Sequence, residues 1–159
     1  MFSQMVKIGI ADTCFARVNM GEVAKAAALE YDSGVEIERY TVPGFKDLPV
    51  ACKKLFEEYS CDVVVALGWV GKEDIDETCA HEANIGLIQC ELMCSKHILK
   101  VFFHEKEALG DLDRQSEICK DRVQKHTVNA LKLVEGKEVL SSWAGEGKRQ
   151  GYTDAGKIK

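Results

Sequence analysis

Val63-Val64-Val65-Ala66-Leu67-Gly68 is the stretch on which the fold turns. Three consecutive valines followed by Ala-Leu do not alternate apolar with polar residues, so both faces of the strand they predict must be covered. A central parallel strand with helices on each side meets that requirement, with Gly68-Trp69-Val70-Gly71 as its exit loop. Upstream, Met5 to Ala11 is a short apolar run that predicts a buried first strand ending in Asp12-Thr13. Val35 to Val42 alternates as a half-buried strand does, until Pro43 removes a donor and Gly44 frees the backbone. Downstream, His97 to His104 predicts the fourth strand.

Helical spacing fills the intervals. Met20 to Tyr31 is alanine-rich, with Val23, Ala27, Leu29 and Tyr31 available for burial. In Asp47 to Tyr59, Asp47 suits an N-cap and Pro49 the first turn, with Leu48, Cys52, Leu55 and Phe56 recurring behind them. Glu77 to Cys94 is apolar on more than one face, so it must contact more than its own sheet. Asp111 to Glu135 is the last helix, with Ile118, Val123, Val128, Leu131, Leu133 and Val134 inward and Gly136 as its stop. Strands alternating with helices imply an α/β sandwich with right-handed crossovers and a ligand edge at the four carboxyl ends. Residues 1–140 form its single domain, and 141–159 are a glycine-rich basic tail, either disordered or ordered by a ligand or neighbouring subunit.

A length of 159 residues, 46% apolar and 30% charged, suits one soluble globular domain. The formal charge of −5 supplies no basic field for nucleic acid and favours a small-molecule or protein partner. No apolar run approaches the ~20 residues a membrane span needs, nor is there the apolar block of a signal peptide, so a cytoplasmic protein is expected. Seven cysteines, with no Cys-x-x-Cys pair, read as reduced core packing. Cys79-Ala80-His81-Glu82 with Cys90 and Cys94 matches no zinc spacing, so no metal site is assigned.

The candidate chemistry lies at the strand ends. Thr41-Val42-Pro43-Gly44-Phe45-Lys46-Asp47-Leu48-Pro49 is a strand end, a loop and a helix start, with backbone N–H groups facing outward. It is either an active-site loop or an ordinary strand-to-helix turn. After the first strand, Asp12-Thr13-Cys14-Phe15-Ala16-Arg17 offers an aromatic ring and a cation. Phe15 either stacks on a flat ligand or staples the next helix. Trp69 either walls a pocket or seals the core. His104 is the best-placed histidine for proton exchange near neutral pH, with a capping or surface role as its alternative, whereas His81 and His126 lie on helices. No Walker loop, dinucleotide fingerprint or nucleophile elbow occurs.

Val42 to Pro49, Ala66-Leu67-Gly68-Trp69-Val70 and Ala83-Asn84-Ile85-Gly86-Leu87 resemble the 6,7-dimethyl-8-ribityllumazine synthases. More closely, the chain is similar to the archaeal riboflavin synthases related to them, a likeness that takes in Asp12 to Arg17, Leu48 to Lys54, Cys79 to Ala83 and Arg149-Gln150-Gly151. The resemblance implies a flavodoxin-like three-layer sandwich, a four-stranded parallel sheet of order 2-1-3-4, and homopentamers with sites between subunits. It implies dismutation of two 6,7-dimethyl-8-ribityllumazine molecules to riboflavin and 5-amino-6-(D-ribitylamino)uracil. No organic cofactor is implied; a divalent cation such as Mg is left open.

On the same likeness, Phe15 and Ala16 lie against the heteroaromatic ring. Pro43, Gly44, Phe45, Asp47 and Leu48 hold ribityl hydroxyls or ring edges, and Gly68, Trp69 and Val70 form the facing wall. His104 is the candidate base, and Arg17 and Lys46 stabilise developing oxygen charge. Lumazine synthases carry an Arg-Gly-x-Thr-x-His loop after Ala-Leu-Gly-x-Val, suited to a phosphorylated ketone. Here Gly71-Lys72-Glu73-Asp74-Ile75-Asp76-Glu77 stands instead, with Glu77 in the histidine's place. Lumazine synthase is thus the alternative activity, and a non-catalytic flavin-binding module the alternative of another class. The phosphate-cradling glycines of such a module are missing after the first strand.

Overall fold

The computed structural model describes residues 5–159. The strands are β1 (Lys7–Thr13), β2 (Glu36–Val42), β3 (Val63–Val70) and β4 (Ile98–His104). The helices are α1 (Met20–Tyr31), α2 (Leu48–Glu57), α3 (Asp74–Cys94) and α4 (Leu112–Glu135). All strand pairs are parallel and the sheet order is β2-β1-β3-β4, as expected. The register sets Ile8 against Val63, Asp12 against Thr41, and Val70 against His104.

Side-chain alternation splits the core in two. Ile8, Ile10, Val63, Val65, Leu67, Trp69, Val101 and Phe103 meet Met20, Ala24 and Ala28 of α1 and Ile118, Val123 and Leu131 of α4. Ala11, Val64, Ala66, Val70, Ile98 and Phe102 meet Leu48, Cys52, Leu55 and Phe56 of α2 and Ala80, Ala83 and Leu87 of α3. Every residue of β3 is buried, which is why its sequence does not alternate. Each such valine or leucine contributes roughly 2 kcal/mol of hydrophobic stabilisation.

Several boundaries differ from the sequence reading. β3 runs through Gly68, Trp69 and Val70, so these are strand residues and the exit loop starts at Gly71. The glycine does not end the strand: the Phe102 ring lies where a Cβ on Gly68 would come within 2.9 Å of it. Helix α1 turns inward through Met20, Ala24, Ala27 and Ala28, leaving Leu29 exposed. Helix α3 begins at Asp74 rather than Glu77, so two loop acids belong to its first turn.

Asp47 does not cap α2 with its side chain. Its carboxylate instead accepts from the Gly44 N–H at 3.3 Å, closing the 3₁₀ turn Phe45–Asp47 on itself. The tail also departs from the expected alternatives, because it packs along α4 of its own chain. Gly151 is buried and its N–H donates to Asp121 at 2.9 Å. The Tyr152 hydroxyl donates to Glu107 at 2.8 Å, and Lys125 donates to the Tyr152 carbonyl at 3.2 Å.

Candidate active site

The carboxyl ends of the four strands place the exit segments along one edge. After β1 the chain makes one more ladder bond, Cys14 N–H to the Val42 carbonyl at 2.9 Å, and then turns outward. Phe15 is 58% exposed there, so it does not staple α1. An apolar ring held in solvent is a surface for a flat ligand or a neighbouring chain. The exposed Arg17 guanidinium makes no ion pair or hydrogen bond among the described residues.

Beneath this loop lies a charged lock that sequence reasoning missed. Asp12 is 3% exposed and accepts from Arg39 Nη2 at 2.6 Å and from Thr41 Oγ1 at 2.6 Å. Arg39 also donates to Glu22 at 2.8 Å and to Asn19 at 2.9 Å. Asn19 in turn accepts from the Glu22 N–H at 3.2 Å as the α1 N-cap. Both ends of the Phe15 loop are therefore pinned, one by β2 and the other by the start of α1.

The β2 exit carries exposed Pro43 and partly exposed Gly44 and Phe45, while Leu48 is fully buried. Only the Leu48 backbone remains for a ligand. The Phe45 and Phe102 ring centroids are 5.7 Å apart, which draws the loop across the sheet towards β4. Lys46 pairs with Glu82 of α3 at 2.9 Å, and that partner raises the Lys46 pKa. This ammonium reaches the edge already paired with a carboxylate.

Trp69 is 2% exposed, its indole 4.7 Å from the Phe103 ring and its Nε1–H donating to Glu105 at 2.8 Å. It seals the core and shows an edge to a cavity of about 200 Å³ that Arg17, Val18, Leu112, Gln115 and Ser116 also line. Gln115 is buried there, its Nε2 bonded to the Ala108 carbonyl and its Oε1 without a protein partner among the described residues. Val70 and Gly68 are also interior, so a ligand meets the backbone end of β3 more than its side chains.

His104 ends β4, on the face that α3 covers. Its backbone N–H donates to Glu107 at 3.0 Å, and its Nδ1 lies 2.8 Å from Glu77 Oε2. The two side chains are 33% and 32% exposed. Glu107 is gripped by Arg122 Nη1 and Nη2 at 2.6 and 2.7 Å. Burial pulls its pKa up, but hydrogen bonds from Arg122, the His104 backbone and Tyr152 prevail and lower it to about 2. The Glu77–His104 contact joins residues 27 apart; the available signal was an acid in the first turn of the helix preceding a strand that ends in histidine.

The first turn of α3 is filled with its own carboxylates. Asp76 Oδ2 accepts from the Glu73 N–H at 3.1 Å and lies over Gly71, where a Cβ would push that carboxylate aside. Lys106 pairs with Asp74 at 3.0 Å. A helix start that would otherwise attract an anion is thus already occupied and negative. Among the described residues no group of three or more His, Cys, Asp or Glu side chains is placed to hold a metal ion. Nor is any described helix long and apolar enough to cross a membrane.

The family model for 6,7-dimethyl-8-ribityllumazine synthase matches residues 5–138, and the chain belongs to that family. Its curated relatives narrow the comparison. A protein named riboflavin synthase from Methanothermobacter thermautotrophicus is 46% identical over 154 residues, covering 97% of this chain and all of that one. Proteins of the same name from Archaeoglobus fulgidus and Aeropyrum pernix are 46% and 44% identical over 153 residues. They cover 96% of this chain and 99% and 97% of their own lengths.

Proposed function

We propose that this chain is a riboflavin synthase, a transferase of riboflavin biosynthesis that moves a four-carbon unit between two molecules of 6,7-dimethyl-8-ribityllumazine. The observation that carries the choice within the family is the carboxylate-filled start of α3. Glu73, Asp74 and Asp76 repel a phosphate dianion where a lumazine synthase must bind one, whereas two uncharged lumazines are unaffected. Stacking and alignment of the two rings supply much of the acceleration. Phe15 and Ala16 form one ring surface, the Pro43 to Leu48 segment with Asp47 holds ribityl hydroxyls, and the Gly68–Val70 end of β3 closes the site. His104 assists removal of a proton from the acidic 7-methyl group, and Arg17, which makes no ion pair among the described residues, is a better oxyanion partner than Lys46, which Glu82 holds.

The test is incubation with 6,7-dimethyl-8-ribityllumazine alone, with and without magnesium, followed by chromatography. Riboflavin and the pyrimidine are expected in equal amounts. If no riboflavin forms, while pyrimidine plus ketone phosphate yields lumazine, the alternative activity is the right one.

The second face of α3 bears on assembly. Ile85, Ile88, Leu92 and Met93 are exposed there, Leu92 at 76% and Met93 at 69%, and Val50 of α2 is also exposed. Contiguous apolar side chains of this size suit a subunit contact. A homo-oligomer, with a pentamer as the specific expectation, should appear by light scattering at micromolar protein. A monomer under those conditions removes any site shared between subunits.

A further inference from the structure

We propose that Glu77 is a positioning residue for His104, selecting the tautomer in which Nδ1 carries the proton and Nε2 presents a free lone pair to the ligand. The proposal rests on the riboflavin synthase reading for its consequence, but on geometry for its substance. A carboxylate has no proton to give at neutral pH, so the 2.8 Å contact from Glu77 Oε2 to Nδ1 requires a hydrogen on the ring nitrogen. Nε2 has no hydrogen-bond partner among the described residues, and a third of the side chain remains open. Position is fixed independently of the ring, because the His104 backbone is tied to Glu107 and thence to Arg122. Two supports on different elements leave the ring little freedom: α3 sets its rotation and the turn after β4 sets its base.

The location suits the chemistry. His104 lies level with Val70 in the β3–β4 ladder, and β3 alone separates β4 from β1 and its Phe15 loop. Two strand spacings are roughly 10 Å, a gap that a bicyclic ring spans. A ring bound at the Phe15 loop then lies on the same carboxyl edge of the sheet as His104. The step balances without another reactant. A proton leaves the 7-methyl carbon for Nε2, the electron pair delocalises into the heterocycle, and the resulting imidazolium keeps its Nδ1–H on the Glu77 carboxylate. That proton is returned later, since two lumazines and the two products have the same atoms. Glu77 thus stabilises the charged ring as well as orienting the neutral one.

The inverse tautomer would defeat the role, because a ring with its hydrogen on Nε2 offers the ligand a donor and no base. Exposed histidines in water favour that Nε2–H form, which makes the assignment sharp. The experiment is ¹⁵N NMR of ring-labelled protein at a pH where His104 is neutral, assigned with His104→Gln, on wild type, Glu77→Ala and Glu77→Gln. Wild type should show Nδ1 protonated and Nε2 bare. Glu77→Ala should move towards the Nε2–H form and lose about tenfold in kcat with KM within about twofold. Glu77→Gln, whose amide oxygen still accepts from Nδ1, should keep the wild-type tautomer and recover part of kcat. Circular dichroism confirms folding of these partly exposed variants. A wild-type Nε2–H signal, or Glu77→Ala with tautomer and kcat unchanged, overturns the proposal. The NMR result needs no turnover, so it stands apart from a failure to make riboflavin.

Discussion

Replacing Arg122 by alanine is expected to lower the free energy of unfolding by about 3 kcal/mol at neutral pH. The Arg122 and Glu107 side chains are only 12% and 20% exposed, and the guanidinium makes two short bonds to the carboxylate. It also donates to the carbonyls of Phe102 and Gln150, at 3.2 and 3.3 Å. Truncation leaves Glu107 half-desolvated beside Tyr152 and breaks the link between β4, α4 and the tail. The pH dependence follows from the Glu107 pKa of about 2, which lies below its ordinary value of 4.5. A depressed carboxylate stabilises the fold fully above pH 4.5 and loses that contribution as pH falls towards about 2. Urea titrations at pH 7 and at pH 3 should therefore show the deficit of Arg122→Ala shrinking in acid. An unchanged midpoint at pH 7 would mean that the pair is dispensable.

His104→Ala should reduce kcat by about 10²-fold with little change in KM for the lumazine, the low end of what a positioned base supplies. The substitution spares the backbone N–H that Glu107 accepts, so the path of the chain after β4 is retained. Initial rates of riboflavin formation over a range of lumazine concentrations separate the two parameters. A rate within twofold of wild type assigns proton removal to another group or to solvent, leaving ring alignment as the main source of rate.

The fold was legible where pattern is dictated by burial. Val63 to Leu67 cannot satisfy a half-exposed strand, and one central strand with helices between its neighbours leaves few topologies. The strand's end was misplaced because Gly68 reads as a terminator, when its lack of a side chain makes room for Phe102. The exit segments were also legible, since Asp12-Thr13-Cys14-Phe15 follows an apolar run and Pro43-Gly44 breaks an alternating one. What could not be read was pairing at a distance. Asp12 with Arg39, Glu77 with His104, and Glu107 with Arg122 and Tyr152 join charged residues that look like ordinary surface in one dimension. The tail misled for a related reason. Its glycines and lysines have the composition of a loose segment, while a buried glycine and one tyrosine suffice to dock it.

The distribution of the seven thiols bears on how the edge can be watched in solution. Burial pushes Cys61 up to about 11 and Cys119 up to about 12, and raises Cys52 further still. Thiols so placed are poor nucleophiles, shielded from reagents and short of thiolate. Cys14 is the exposed cysteine, and it immediately precedes Phe15. A mild disulfide reagent is therefore expected to read the β1 exit first, ahead of the partly exposed Cys79 and Cys94 of α3. Its rate at Cys14 becomes a clock for occupancy of that loop, slowed by any ligand or neighbouring subunit that lies over it.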